Sequence, residues 1–189
     1  MIDYTFMDPI NFKTALSDSD LLGILKLQQE NHIHSLNSLD QGFLYVLHSF
    51  EDLKKMNDFA PHVIGMGGDA VAAYVLAMTV DCKEDVPVLI PMFDLFEKID
   101  FKGKKISEYQ YLVVGQVCVG QHYRGNGIFD KGYQYYRDTF KQDYDFAITE
   151  VSTRNHRSLK AHQRVGFTEI HRYTDPLSEE WSIVLWDWK

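Results

Sequence analysis

The sequence predicts an α/β fold, with one mixed sheet and helices packed around it in a single domain spanning residues 1–189. Three observations predict it. Two apolar runs, "HVIGM" and "AVAAYVLAMTV", flank Gly67-Gly68-Asp69, which is a hairpin signal. The run "YQYLVVGQVCVG" is apolar at nearly every position, as a central strand covered on both faces would be. Beyond it, strand and helix patterns alternate before two closing strands, the order of a layered α/β domain.

Taken in order, "NFKTAL" reads as a short first strand. "SDSDLLGILKLQQENHI" reads as a helix capped by Ser17 or Ser19, with leucines and isoleucines at helical spacing. "FEDLKKMNDF" is a second, shorter helix, followed by the hairpin. In the segment 83–109, Pro87 and Pro91 argue against one long helix and leave room for a short one from about Pro91. Gly115, inside the central strand, suggests a bulge or a close backbone approach. A helix to about Phe140, a strand "DFAITEVS", a helix "NHRSLKAHQRV" and the strands "FTEIHRYT" and "EWSIVLWDW" complete the chain.

The composition, 45% hydrophobic and 24% charged, is that of a water-soluble globular domain. No apolar stretch is long enough to cross a bilayer, and "MIDYTFMDPINF" lacks the basic and apolar regions of a signal peptide. A cytoplasmic protein without a membrane partner is expected. Cys82 and Cys118 are too few for a disulfide framework and lack metal-ligand spacing. Glu30, His32 and His34 have no partner cluster and read as surface residues, so no metal is expected. The net charge of −8 argues against nucleic acid as a partner. The charge is uneven, however. Gln121 to Arg164 carries a net +3 and the remainder −11, which points either to an anionic ligand in that segment and a cationic one elsewhere or to charges that simply sit on solvated helix faces.

The basic segment opens with "VCVGQHYRGNGIFDKG", where a strand turns into a helix through two close glycines. Such a turn aims unpaired backbone N–H groups and the positive end of the helix dipole at one point, where a phosphate fits. A Walker A loop would need Gly-Lys-Ser/Thr, and no such triplet occurs. A dinucleotide fingerprint counted from Gly125 fails at Asp130, where its third glycine would fall.

What remains, Arg124-Gly125-Asn126-Gly127-Ile128 after an apolar strand, resembles the acetyl-CoA signature of the GCN5-related N-acetyltransferase (GNAT) superfamily. One position departs from that signature: Phe129 stands where a small residue is usual, and its ring could narrow the pyrophosphate slot or point into the core. A second segment, "TEVSTRNHRSLKAHQRVGF", is similar to the later cofactor motif of the same superfamily. Asn155, Ser158, His162, Gly166 and Phe167 fill its places. At ~100° per residue, positions 155, 158 and 162 fall within ~60° of one another, so an amide, a hydroxyl and an imidazole share one helix face. Asn155 also suits the helix N-cap, Gly166 a helix end and Phe167 the core. The resemblance covers residues 110–175.

The resemblance implies a largely antiparallel sheet flanked by helices in the order β-α-α-β-β-β-α-β-α-β-β. It implies acetyl-CoA as donor, held by Val117, Cys118, Val119, Arg124, Gly125, Asn126, Gly127, Ile128, Asn155 and Ser158. It also implies direct transfer of acetyl to an amine, on a small molecule or a peptide, with a main-chain N–H near Val117–Val119 holding the thioester oxygen. Glu150 is the candidate base: by alternation it shares a face with Phe146 and Ile148, an apolar setting that raises a carboxyl pKa. Its spacing to His162 matches a Glu–Tyr pair in the similar ribosomal-protein N-terminal acetyltransferases. His162, where many relatives have a tyrosine, is expected to act as acid or base, or to be structural. Cys118 reads as a core residue of the strand rather than a nucleophile. The alternative reading is a non-catalytic acyl-CoA-binding or sensor protein on the same fold.

Overall fold

The computed structural model describes residues 9–38, 42–84 and 90–189. Pro87 lies outside the described residues. The main sheet has seven strands in the order β1-β2-β3-β6-β7-β9-β8. They are β1 (Asn11–Thr14), β2 (Val63–Gly67), β3 (Ala70–Met78), β6 (Tyr111–Val119), β7 (Phe146–Ser152), β8 (Thr168–Thr174) and β9 (Glu180–Asp187). Every neighbouring pair is antiparallel except β6–β7, which is parallel.

Among the described residues five α-helices cover the sheet. They are α1 (Asp18–Asn31), α2 (Phe50–Phe59), α3 (Ile90–Phe96), α4 (Ile128–Phe140) and α5 (His156–Val165). The strands feed two cores by alternation. Tyr111, Val113, Phe146, Ile148, Ile183 and Leu185 face α1, α2 and α3. Leu112, Val114, Ala147 and Val184 face the other way and pack with Tyr133, Tyr136 and Phe140 of α4. The central strands are therefore apolar at consecutive positions because both faces are covered.

Local signals explain the helix ends. Ser17, not Ser19, caps α1: its side chain accepts from Asp20 N, while Asp20 accepts from Ser17 N, a capping box. Ser49 and Asp52 repeat the device at α2. Pro91 sits in the first turn of α3, where its missing N–H is no loss. After α3 comes an element the sequence reading left out, a small hairpin of β4 (Asp100–Phe101) and β5 (Lys104–Lys105). Lys102 and Gly103 turn it with φ of 47° and 83°. The order is thus the expected one, with the short helix from about Pro91 present and a hairpin added between β3 and β6.

A buried histidine ties the layers together. His62 is fully buried; its Nδ1 accepts from Ala77 N at 3.1 Å and its Nε2 donates to Leu53 O at 3.1 Å. The ring is therefore neutral, and burial pushes its pKa down to about 3 from 6.5. His48 is buried as well, and its pKa is lowered for the same reason.

Two outcomes follow from these contacts. Ser17→Ala removes a cap and lowers stability by about 1 kcal/mol, read as a lower urea midpoint with unchanged slope. Between pH 6.5 and 3 the unfolded chain protonates residue 62 and the native one does not, so stability is lost as pH falls through that window. Urea midpoints should drop from pH 7 to 5, by up to about 1.4 kcal/mol per pH unit for each such histidine. A flat profile over that range would contradict the neutral buried ring.

Candidate active site

The site begins where the sheet comes apart. β6 and β7 pair only at Tyr111–Phe146, Leu112–Ala147 and Val113–Ile148, although β6 runs on to Val119 and β7 to Ser152. Thr149 Oγ1 donates to Val114 O at 2.8 Å just past the last pair, closing the end of the ladder. On its other side β6 carries the expected bulge: Val75 pairs with Val117 and Ala77 with Val114, so Leu76 faces both Gly115 and Gln116. Gly120 N donates to Ala72 O at 2.8 Å. By the alternation of an antiparallel ladder, Val117 and Val119 then turn their N–H groups away from β3, toward the side β7 has left.

The opening is one end of a cleft of about 620 Å³. Val117, Cys118 and Val119 line it from β6, and Gly125, Gly127 and Ile128 from the glycine turn. Gly125 (φ 83°) and Gly127 (φ 70°) are left-handed, and a Cβ on either would meet nothing within 4 Å. Backbone conformation, not crowding, demands glycine there. Gly127 caps α4 without any side-chain hydrogen bond, so the first-turn N–H groups of α4 face the cleft uncapped. Asn126 lies outside the lining; its side chain staples the loop by donating to Tyr123 O and Arg124 O. Tyr123 packs on Gly67, where a Cβ would come within 2.7 Å of its hydroxyl.

Arg124 also lines the cleft and holds the turn to α1 and β6. Its Nη2 donates to Asn31 Oδ1 at 2.6 Å and its Nε to Val119 O at 2.9 Å. Cys118 is buried, and burial pushes its thiol up to about 12, which suits a core residue.

The α5 residues divide. Asn155 and Ser158 line the cleft. Asn155 is the N-cap, with Oδ1 accepting from Ser158 N at 3.1 Å, and its Nδ2 donates to Phe43 O at 3.2 Å. Its amide is thus engaged by the chain itself. His162 does not line the cleft and is buried at 2% exposure. Its Nδ1 donates to Ser158 O at 2.8 Å, and its Nε2 accepts from Tyr133 OH at 2.7 Å. Burial lowers its pKa to about 4, so the ring is neutral with both nitrogens used. Phe129 lines the cleft yet stacks its ring edge-on against Tyr133 and His162, at 5.0 and 5.2 Å between centroids. The ring thus packs between α4 and α5 and still forms part of the cleft wall.

Glu150 stands on β7 two residues past the last pair with β6, on the face toward Phe146 and Ile148. It is half-buried and lies outside the cleft lining. Burial raises its pKa, opposed by Tyr173 OH donating to Oε2 at 2.6 Å. Tyr173 is raised in turn, by burial first and by Glu150 next. Around them Trp181 Nε1 donates to Asp175 Oδ2 at 3.0 Å, and the Tyr45 ring lies 5.3 Å from Trp181. Gln116, at the bulge, shares this side: it accepts from Tyr74 OH at 2.5 Å and donates to Val46 O at 2.8 Å.

Sequence reading missed the wall formed by Gly42, Phe43 and Leu44. Hydrogen bonds from Leu44 N to Asn31 O and from Ile33 N to Leu44 O fix that wall, and no local pattern announces it. It also missed Arg157, Lys160 and Arg164, whose recurrence at i, i+3 and i+7 on α5 was a readable signal. Among the described residues no group of His, Cys, Asp and Glu could hold a metal ion, and no helix is long and apolar enough to cross a membrane.

No family model matches the sequence, and no curated protein matches it. Solved structures do match. The NatC complex bound to Gag peptide and CoA superposes with a TM-score of 0.66 at 14% identity, covering 96% of this chain and 99% of that one. The ribosomal-protein-S18-alanine N-acetyltransferase from Escherichia coli gives 0.60 at 13% identity, over 95% and 94% of the two chains. A Salmonella typhimurium structure with its cofactor acetyl-CoA gives 0.62 at 11% identity, over 95% and 94%. The chain therefore has the fold of the GNAT N-acetyltransferases.

Proposed function

We propose that this protein is an acetyl-CoA-dependent N-acetyltransferase that moves the acetyl group directly onto an amine. The observation that carries the reading is the cleft beside β6, past its last pair with β7, with strand N–H groups along one wall and the uncapped glycine turn of α4 at its end. The pyrophosphate would sit on the first-turn N–H groups of α4, where unpaired donors and the helix dipole add. The pantetheine arm would extend β6 as a strand would. The thioester oxygen would take an N–H from Val117 or Val119, a donor already oriented before charge develops. The coenzyme-bound neighbours support this donor.

The amine nitrogen attacks the thioester carbon, the C–S bond breaks, and the amine proton passes to Glu150, directly or through one water. A thiol of ordinary pKa near 8.5 leaves readily as thiolate and takes its proton from solvent. His162 has no part in proton transfer in this scheme; its bonds to Tyr133 and Ser158 position α5 against α4. The acceptor side, with Glu150, Asp175 and the Tyr45 and Trp181 rings, suits a cationic amine on a small molecule or a peptide N-terminus. The peptide in one neighbour supports the latter. The place of His162, away from the cleft, favours the second reading, an acyl-CoA binder without turnover.

Acetyl-CoA at about 100 times its Kd should raise the melting temperature by about 5–10 °C, and unrelated nucleotides should not. Gly127→Val, forced into a left-handed conformation, should weaken acetyl-CoA binding at least about tenfold in calorimetry. Glu150→Gln should lower turnover by about 10²-fold or more at unchanged acetyl-CoA affinity. In the parent enzyme the rate should rise with pH through the raised carboxyl pKa, because the base works only when deprotonated, and the variant should lose that limb. Tight binding with no turnover on any amine would instead establish the binder.

A further inference from the structure

Glu150 is held by a tyrosine from two strands away. In the ladder β7–β9–β8, Glu150 lies opposite Ile183, and Trp181, two positions before Ile183, lies opposite Tyr173. Opposed residues of an antiparallel ladder point to one face, so Glu150, Trp181 and Tyr173 share a side of the sheet. β8 achieves this through an irregularity. Thr168 lies opposite Leu185 and His171 opposite Ile183, so β8 takes three steps where β9 takes two. A regular ladder would set Arg172 opposite Trp181 and turn Tyr173 away from Glu150, because a slip of one residue changes the face. Bulges beside active sites re-aim a side chain in this way. The re-aimed hydroxyl donates to Glu150 Oε2 at 2.6 Å, and among the described residues nothing donates to Oε1.

We propose that Tyr173 is a positioning residue for the base: its hydroxyl holds Oε2 of Glu150, which keeps the carboxylate charged and leaves Oε1 to take the amine proton. This rests on the reading of Glu150 as base. As the amine attacks, its N–H bond breaks and an O–H bond forms at Oε1; Tyr173 keeps its own proton throughout. Burial first, and Glu150 next, raise the pKa of Tyr173, so it remains a donor while the carboxyl titrates. Burial raises the pKa of Glu150; the hydrogen bond from Tyr173 lowers it, and the charge of Asp175 raises it further. Asp175 is itself fixed, accepting from Leu177 N, Glu179 N and Trp181 Nε1. Of the other charged groups on this side, Arg154 pairs with Glu179 at 2.6 Å and donates to Tyr45 OH, and His171 of β8 is exposed. Gln116, from β6, is uncharged.

The test is the pH–rate profile of the wild type, Tyr173→Phe, Glu150→Gln and the double variant. It uses acetyl-CoA and the fastest amine from a screen of polyamines and unblocked peptides. Phenylalanine keeps the ring that packs on the core and removes only the hydroxyl, so the variant keeps the fold, checked by its melting temperature. Tyr173→Phe should move the rising limb to higher pH and lower kcat at pH 7 by about tenfold, at unchanged acetyl-CoA Kd. In the Glu150→Gln background the same change should alter kcat by less than about twofold, because the hydroxyl acts through the carboxylate. The carboxyl carbon of Glu150, followed by NMR, should titrate at higher pH in Tyr173→Phe than in the wild type. A limb and a carboxyl titration that stay in place, or an equal loss in both backgrounds, would overturn the role of Tyr173 and leave Glu150 as base. A wild-type limb kept by Glu150→Gln, or no turnover on any amine, would overturn the base and this inference with it.

Discussion

Most of what this molecule can do depends on one break in a hydrogen-bond ladder. Among the described residues β6 and β7 are the only parallel neighbours in the main sheet, and they stay paired for three residues before separating. Were they to continue, the N–H groups of Val117 and Val119 would be consumed by β7 and the cleft would not exist. Separation leaves main-chain donors in an interior-facing position, which is costly unless something pairs with them. Thr149 satisfies one carbonyl at the fork, and the bulge at Gly115–Gln116 re-aims the strand beyond it. The sheet is thus built to be incomplete at one place.

The surroundings hold that gap open from both faces. Arg124 links Val119 O to Asn31 at the end of α1, and Leu44 N returns to Asn31 O, so the cleft wall, α1 and the glycine turn share one anchor. Asn155 fixes the same wall through Phe43 O, and Gln116 fixes it again through Val46 O. On the far side, Tyr133 and His162 lock α4 to α5 in a buried hydrogen bond. Arg164 and Asp130 repeat the link at the surface. Charge follows this division: cations gather on α5 and around the turn, while Glu150 lies near the end of β7 and Asp175 and Glu179 in the turn between β8 and β9.

What the sequence revealed and what it hid follow the same physical line. Gly127 and Asn155 were legible because their reasons are local, a left-handed φ and a helix cap. Gly115 was legible because a glycine in a central strand has few explanations. His162 looked like a cleft residue because helix periodicity places it with Asn155 and Ser158. Its actual orientation depends on Tyr133, 29 residues earlier, which periodicity cannot show. The Phe43 wall and the surroundings of Glu150 depend on partners more than a hundred and on 23 residues away respectively. The β4–β5 hairpin carried a signal, Lys-Gly between short extended segments, but each strand is only two residues long.

The central claim is that the amides of Val117 and Val119 and of the first turn of α4 are waiting for a ligand. Amide hydrogen exchange, with and without acetyl-CoA, tests it most directly. The account predicts that these few amides exchange readily in the free protein and become protected when the coenzyme binds, while those of β3 and β9 do not change. Protection of Val117 and Val119 already complete in the free protein, or unchanged by saturating acetyl-CoA, would contradict it.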